Sequence, residues 1–345
     1  MTRLDGERRP AFGPVSPVQR EAWAERRVPP VEEAAEGVWA IPVPFPWNPV
    51  KFTYSYLVES PSGAVLLDPG AAEPGSRAAL DAAFAEIGFD SSRLVGIVVT
   101  HHHVDHWSLA DGLAADTGAW VALGRDEWAW MERLKDDELQ PAVIERRLRN
   151  DWGVSADAAA AIATTDDYGE YRAYGRPDRL LAHGDRLPLE GRDISVLLTP
   201  GHTPGHICLF DRDRRLLFSG DHLLPGITSN VSLNPFGHVD PLGAFLDGLE
   251  LIEGLGVRQV LPAHEYRFTG AEERIERLRE KVQERLDELR TIAAHGEESV
   301  WEVAQRLSWS RPWASFTPLS QRLALGETAA YLRHLGRLPG AAPRG

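Results

Sequence analysis

Cysteine is nearly absent from this chain, which has one, Cys208, among its 345 residues. One cysteine cannot form an intramolecular disulfide, so a scaffold held together by disulfide bonds is excluded. Cys208 lies in the apolar stretch 207–210, where we expect it to behave as a small buried hydrophobic residue.

Long apolar runs are also missing. No stretch of about 18 consecutive apolar residues, the length that a membrane-spanning helix needs, occurs in the chain. Residues 1–30 are polar and rich in Arg, Glu and Pro, without the apolar segment of a signal peptide. The sequence therefore predicts a cytoplasmic protein with no membrane partner, in which residues 1–34 form a mobile or surface-wrapping arm.

Basic residues are in the minority. The chain has 37 Lys and Arg against 51 Asp and Glu, for a formal net charge of −14. Proteins that bind nucleic acid usually present a basic surface. This balance disfavours nucleic acid as a partner, although a local basic groove is compatible with it, and a small-molecule substrate is expected instead.

Histidine, by contrast, is concentrated in one short segment. Residues 100–106, with the sequence THHHVDH, follow the apolar run 94–99, which predicts a buried strand. His and Asp side chains packed this densely would be costly to hold together without a cation. The segment therefore predicts a metal site at the end of a strand. Because His102 alternates with two candidate ligands, its side chain is expected to point away from the metal.

Three later motifs extend this pattern, and each places a His or an Asp directly after an apolar run. They are TPGH at 199–202, SGDH at 219–222 and LPAH at 261–264. A further motif, LDPG at 67–70, is expected to supply a supporting turn through Asp68. Ligands at the ends of several strands would converge on one edge of a sheet, so the motifs together indicate a metal-dependent hydrolase.

In the order and type of these motifs, the chain resembles the metallo-β-lactamase superfamily over about residues 35–270. The resemblance implies an α/β fold, an αββα sandwich, that holds two metal ions per chain. The ligands it implies are His101, His103 and His202 for the first ion, Asp105, His106 and His264 for the second, and Asp221 as the bridge. We expect both ions to be Zn²⁺, with Mn or Fe as alternatives for ligands of this kind.

The resemblance also implies the chemistry. A water held between two such ions ionises near neutral pH, and the bridging hydroxide would be the nucleophile, with Asp105 as the catalytic proton acceptor and donor. The superfamily acts on thioesters, lactones, β-lactams and phosphodiesters, so the fold leaves the substrate open. The first hypothesis is hydrolysis of a carboxylic ester, thioester or lactone with an apolar moiety. The alternatives are a metal-dependent nuclease of the lactamase-β-2-like type and a non-catalytic metal-binding scaffold.

Residues 124–184 form an insertion relative to a minimal core of this type, with predicted helices at 126–134, 141–152 and 156–163. Its aromatic residues either pack these helices onto the core or form a lid over the metal cleft. The candidates for the cleft or for support of the ligands are Asp68, His206, His222, Trp47, Trp128, Trp130 and Arg267. The loop 223–230, which follows the bridging Asp, is a second candidate for the cleft.

Local patterns outline the remaining elements. Those predicted in the core are strands at 37–41, 52–58 and 64–67 and helices at 74–87 and 108–117. The C-terminal region, residues 271–345, contains predicted helices at 271–294, 300–307 and 320–335. It resembles the small winged-helix-like tail of some lactamase-fold hydrolases. Because it is not strongly basic, we expect it to pack on the core or to mediate a homodimer.

Overall fold

Two mixed β-sheets form the centre of the protein. The computed structural model describes residues 11–46, 50–133, 141–165, 174–233, 239–293 and 298–338. The strands in these ranges are β1 (Gly13–Pro14), β2 (Glu32–Ala35), β3 (Val38–Phe45), β4 (Lys51–Ser60), β5 (Gly63–Leu67), β6 (Leu94–Val99), β7 (Trp120–Gly124), β8 (Arg179–Leu181), β9 (Ile194–Leu198), β10 (Ile207–Asp211), β11 (Leu216–Gly220), β12 (Gln259–Pro262) and β13 (Phe268–Thr269). One sheet has the order β1-β13-β12-β11-β10-β9 and the other has the order β2-β3-β4-β5-β6-β7-β8.

Helices cover the outer face of each sheet. Those in the described ranges are α1 (Pro17–Ala24), α2 (Ser76–Glu86), α3 (Val104–Trp107), α4 (Ala110–Thr117), α5 (Arg125–Arg133), α6 (Pro141–Trp152), α7 (Ala156–Ala163), α8 (Pro241–Ile252), α9 (Ala271–Ile292), α10 (Val300–Arg306) and α11 (Pro318–His334). Short 3₁₀ turns occur at Ser91–Arg93 and Trp313–Ser315. Among the described residues, no helix combines the length and the apolar character that crossing a membrane requires.

Three buried clusters account for this layering. The cluster between the sheets includes Tyr56, Leu209 and Phe218. A second cluster packs helices such as α2 against the seven-stranded sheet, and Leu80 belongs to it. The third packs α8, α9 and the C-terminal helices against the six-stranded sheet, and Phe245 belongs to it. Apolar faces of helices and sheets must be buried against one another, so the αββα sandwich with a helical C-terminal region is confirmed.

The N-terminal segment is built into the sheets from residue 13 onwards. Gly13 pairs with Thr269 and thereby adds an edge strand to the six-stranded sheet. Gln19 of α1 is fully buried and accepts a hydrogen bond from the Arg267 amide. The expected boundary between the arm and the core, at residues 34 and 35, falls inside β2, which pairs with β3. The described part of the arm is therefore a structural edge of the core.

The C-terminal helices pack on the core. The apolar face of α9 is buried along most of its length, as the spacing of three and four residues predicts. No strand follows Thr269 in residues 270–293 and 298–338, so these residues contain no β-wing. In the insertion, α6 and α7 have the predicted bounds, and they contribute to the same buried cluster as the C-terminal helices.

One edge of the sandwich brings the predicted motifs together. β5, β6 and β7 are parallel in one sheet, and β11 and β12 are parallel in the other. The Ile207 amide donates to the Thr100 carbonyl (3.0 Å), which ties the two sheets together at this edge. Gly220, with φ +49°, has no room for a side chain, because a Cβ there would lie 2.6 Å from His206 Nε2. This close approach places Asp221, which directly follows β11, beside the His-rich loop of residues 100–106.

Candidate metal centre

The structure brings all seven predicted ligands together in two groups. The first group is His101, His103, His202 and Asp221, and the second is Asp105, His106 and His264. Within each group, one ligand atom from every residue lies within 4.8 Å of the others. The His-rich loop begins after β6, and the later ligands follow β9, β11 and β12. These groups match the division into two ion positions that the resemblance implies, with Asp221 as their common neighbour.

Asp221 lies between the two groups. Its Oδ2 is 3.5 Å from His202 Nε2, whereas its Oδ1 is 3.2 Å from His264 Nε2. Oδ1 also lies 3.6 Å from His106 Nε2. Each carboxylate oxygen therefore faces ligand atoms of a different group, which is the arrangement that a bridging carboxylate requires.

The three imidazoles of the first group are closely packed. His103 Nδ1 lies 2.9 Å from His101 Nε2 and 3.1 Å from His202 Nε2. Burial lowers the pKa of His202, and burial together with the neighbouring histidines holds the pKa of His101 and His103 well below its ordinary value. The three rings are therefore neutral at pH 7, and a neutral imidazole is the form that coordinates a metal.

Carboxylates surround the two histidines of the second group. Asp105 Oδ2 lies 3.4 Å from His264 Nε2 and 3.7 Å from His106 Nε2. Burial opposes a charge on His106, but the carboxylates of Asp105, Asp68 and Asp221 outweigh it and raise the pKa of His106 to about 10. The pKa of His264 is raised in the same way, mainly by Asp221 against the effect of burial. This part of the site favours positive charge.

Backbone and side-chain oxygens orient several of the imidazoles. In four of the five histidines, Nδ1 contacts such an oxygen. The contacts are to Thr100 Oγ1 at 3.0 Å for His101, Asn230 O at 2.8 Å for His202, Phe52 O at 3.3 Å for His264 and Asp68 Oδ2 at 2.9 Å for His106. Each contact turns Nε2 towards the centre of the cluster. Hydrogen bonds of this kind fix the tautomer and the orientation of metal-binding histidines.

The two histidines after the ligand motifs lie outside the groups. His206 is buried, and its Nε2 accepts a hydrogen bond from the Asp221 amide at 3.2 Å, while its Nδ1 contacts Thr199 Oγ1. It therefore supports the backbone of Asp221. His222 packs on Phe245, with ring centroids 4.8 Å apart, and burial lowers its pKa to about 3.

Two unsatisfied atoms show that this cluster suits a cation. His106 Nε2 and Asp221 Oδ1 are buried and have no hydrogen-bond partner in the described part of the structure. Buried polar atoms nearly always have one. An imidazole nitrogen and a carboxylate oxygen are both ligands for divalent transition metals. The donor set therefore fits metal ions.

The remaining predicted cleft residues lie elsewhere. Trp128 and Trp130 are buried within the cluster that packs helices on the seven-stranded sheet, which agrees with the packing alternative and not with an open lid. The Arg267 guanidinium pairs with Glu32 and contacts Gln19, so it links the N-terminal segment to the sheet and is not a free cation for a substrate. Trp47 lies outside the described residues.

Two supporting residues are absent from the sequence-based prediction. Thr53 of β4 donates from Oγ1 to Asp105 Oδ2 at 3.0 Å. Glu127 of α5 is fully buried and contacts the loops that carry the first group of ligands. Glu127 follows the apolar strand β7 by three positions, the same signal that identifies the ligands. Because residues 124–184 are predicted to be an insertion relative to the core, Glu127 is not among the predicted site residues.

The fold and the clustered ligands define a class of protein. The family model of the metallo-beta-lactamase superfamily matches residues 48–291. This range is more than half of the chain, and the chain belongs to this superfamily. The resemblance predicted from the motifs is thereby confirmed.

Several curated proteins are similar in sequence. The acyl-coenzyme A thioesterase MBLAC2 of Homo sapiens is 30% identical over 216 residues, which are 61% of this chain and 64% of that protein. MBLAC2 of Gallus gallus is 34% identical over 141 residues, 41% of this chain and 50% of that protein. The chain thus spans between half and about two thirds of these relatives. The probable metallo-hydrolase YqjP of Bacillus subtilis (strain 168) is 25% identical over 285 residues, 79% of this chain and 85% of that protein.

Solved structures show the same architecture. The metallo-beta-lactamase family protein TTHA1429 from Thermus thermophilus has a TM-score of 0.73 and 27% identity, covering 91% of this chain and 97% of that one. A beta-lactamase domain protein from Burkholderia ambifaria also has a TM-score of 0.73, with 25% identity. The match covers 89% of this chain and 87% of that one. The similarity therefore extends beyond the residues that the family model matches.

Proposed function

We propose that this protein is a dinuclear metal hydrolase that cleaves a thioester, carboxylic ester or lactone with an apolar moiety, and that an acyl thioester is its preferred substrate. The position of Asp221, with one oxygen towards each group of ligands, carries the dinuclear part of this proposal. The similarity to proteins named acyl-coenzyme A thioesterase supports the choice of bond.

The residues that would hold the ions are the two groups already described, with Zn²⁺ as the proposed metal. When bound, such ions activate water as a nucleophile and polarise the carbonyl that is attacked. Because the imidazole rings of the first group are neutral, a metal ion can bind them without displacing a proton. Asp105 is the proposed proton acceptor and donor, and the hydrogen bond from Thr53 restricts its rotamer.

The loop 223–230 supports an apolar substrate. Its Asn230 carbonyl contacts His202, so its end adjoins the ligands. Ile227 exposes 39% of its surface, so its aliphatic side chain is available for an apolar contact. The loop is fixed because the Gly226 and Ile227 amides donate to Glu265 Oε2 at 2.6 and 3.0 Å. We propose that Ile227 contacts the apolar part of the substrate.

The cations that follow His264 disfavour a nuclease. Arg267 is paired with Glu32. Arg274 is buried and donates to the carbonyls of Leu224 (2.6 Å) and Ile227 (2.7 Å). Neither guanidinium is free to neutralise a phosphate, whereas binding a nucleic-acid backbone requires several such contacts. An uncharged acyl group needs none.

A substrate panel tests the proposal directly. Metal-loaded protein is assayed on acyl-coenzyme A thioesters of increasing chain length, nitrophenyl esters, lactones, a phosphodiester reporter and single-stranded RNA, with metal content measured on the same sample. We expect thioester turnover to exceed phosphodiester turnover by at least about 100-fold, because the thioester carbonyl that is attacked is uncharged, whereas the scissile phosphodiester carries a negative charge that nearby cations would have to neutralise. Salt-sensitive cleavage of RNA without acyl hydrolysis would show that the nuclease alternative is correct.

A further inference from the structure

A buried carboxylate joins the two loops that supply the three histidines of the first group. Glu127 Oε1 accepts a hydrogen bond from the His102 amide at 2.9 Å and lies 2.5 Å from His102 Nδ1. Its Oε2 accepts a hydrogen bond from the Gly205 amide at 2.7 Å. The side chain is completely excluded from solvent. One carboxylate thus satisfies three donors on two loops that are about 100 residues apart in sequence.

Close packing holds this contact in place. A Cβ on Gly205 would lie 1.9 Å from the Glu127 backbone nitrogen, so the loop after His202 is pressed directly against the start of α5. On the other side, the His102 ring packs on Trp130 of the same helix, with centroids 4.4 Å apart. The first turns of α5 therefore pack directly against both loops.

The ligands closest in sequence to these contacts all belong to the first group. His101 and His103 flank His102, and His202 precedes Gly205 by three residues. The second group is held by other residues, since Thr53 contacts Asp105 and the Phe52 carbonyl contacts His264. We propose that Glu127 is a positioning residue that sets the spacing of His101, His103 and His202, and so determines the affinity of the first metal position selectively. This inference rests on the dinuclear centre proposed above.

Glu127→Gln tests the role with little change in volume. An amide has one acceptor oxygen, and its NH₂ group would face a backbone N–H, so one buried donor would lose its partner. We expect affinity at the first position to fall by about 10- to 100-fold, the usual effect of altering a residue that orients metal ligands, with the second position unchanged. Chelator competition gives the two affinities. Anomalous scattering from crystals grown at limiting Zn²⁺ assigns each occupancy to its position.

Matched variants separate positioning from a loss of folding. His102→Phe keeps a ring against Trp130 but removes its hydrogen bond to Glu127, and we expect a smaller loss at the same position. Thr53→Val removes the contact to Asp105, and its effect should be confined to the second position. Thermal unfolding of each variant shows whether it folds.

The possible outcomes are distinct. If the wild-type protein binds no ion, the proposed centre itself is wrong. Suppose that the wild-type protein binds two ions and that Glu127→Gln lowers the metal affinity of both positions equally, or of neither. The dinuclear centre is then supported, and the role proposed for Glu127 is refuted. Should Glu127→Gln fail to fold, the result for His102→Phe decides in the same way.

Discussion

The carboxylate of Asp68 accepts a hydrogen bond from His106 Nδ1 at 2.9 Å. Asp68 also accepts hydrogen bonds from the amide and the hydroxyl of Thr100 at 2.7 and 2.8 Å. It therefore fixes both ends of the His-rich loop, because Thr100 begins that loop and His106 ends it. The His106 ring is turned so that Nε2 faces Asp221.

Replacing Asp68 with Asn should weaken metal binding without removing a ligand. The amide cannot accept all three hydrogen bonds with unchanged geometry, so the orientation of His106 is lost. We expect the metal affinity to fall by about 10- to 100-fold, as measured by chelator competition. Unchanged affinity would contradict the role assigned to Asp68.

Replacing Asp221 with Ala should reduce the number of bound ions. The two groups lose their shared carboxylate, so the positions no longer stabilise each other. Metal analysis should show clearly less metal than the wild type under the same conditions. Thioester turnover should fall by about 100-fold or more, since even residues that only orient a ligand cost about 10- to 100-fold. Full metal content with full turnover would show that Asp221 is not the bridge.

Metal-free protein should lose stability as the pH rises from neutral. Against burial, the carboxylates of Asp105, Asp68 and Asp221 raise the pKa of His106 to about 10, above an ordinary value of about 6.5. The stabilisation from this proton is fully present below pH about 6.5 and is lost as the pH rises through about 10. Bound ions replace the proton, so chelator-treated protein should show a steeper fall in Tm between pH 6.5 and 10 than metal-loaded protein. If Tm falls equally with pH in both samples, protonation of His106 does not contribute to the stability of the metal-free protein.

Shortening Ile227 should affect long substrates more than short ones. Ile227→Ala removes about 1–2 kcal/mol of apolar contact with a bound acyl chain, which corresponds to a roughly 5- to 30-fold rise in KM for long-chain thioesters. Turnover of an acetyl thioester should change little. Val18→Ala is a matched control, because Val18 is similarly exposed, at 42%, on α1. An equal effect of both variants would rule out substrate contact by Ile227.

Trp128→Ala should act through stability. Trp128 exposes only 4% of its surface, and truncating a buried Trp costs about 3–5 kcal/mol. We expect a lower Tm and similar relative losses on short and long substrates. A selective rise in KM for bulky substrates at unchanged Tm would instead restore the lid interpretation of the insertion.

The candidate ligands could be found in the sequence because they share a simple local signal. Each follows an apolar run that ends a strand, and only a metal makes dense His and Asp side chains favourable at such a place. His102 was predicted to point away from the metals, and its ring contacts Glu127. The buried face of α9 followed from its helical periodicity.

What the sequence determined by itself was therefore the candidate ligands and the type of several elements, such as α6, α7 and α9, since both depend on residues close together along the chain. Only the tertiary structure decided which distant groups meet. Arg267 is near His264 in sequence, yet Glu32 and Gln19 bind it, because the N-terminal segment packs on the sheet edge. Glu127 and Gly205 come together because the end of β7 lies against the loop after β9. Such contacts depend on how the two sheets pack, and local patterns carry no information about that packing.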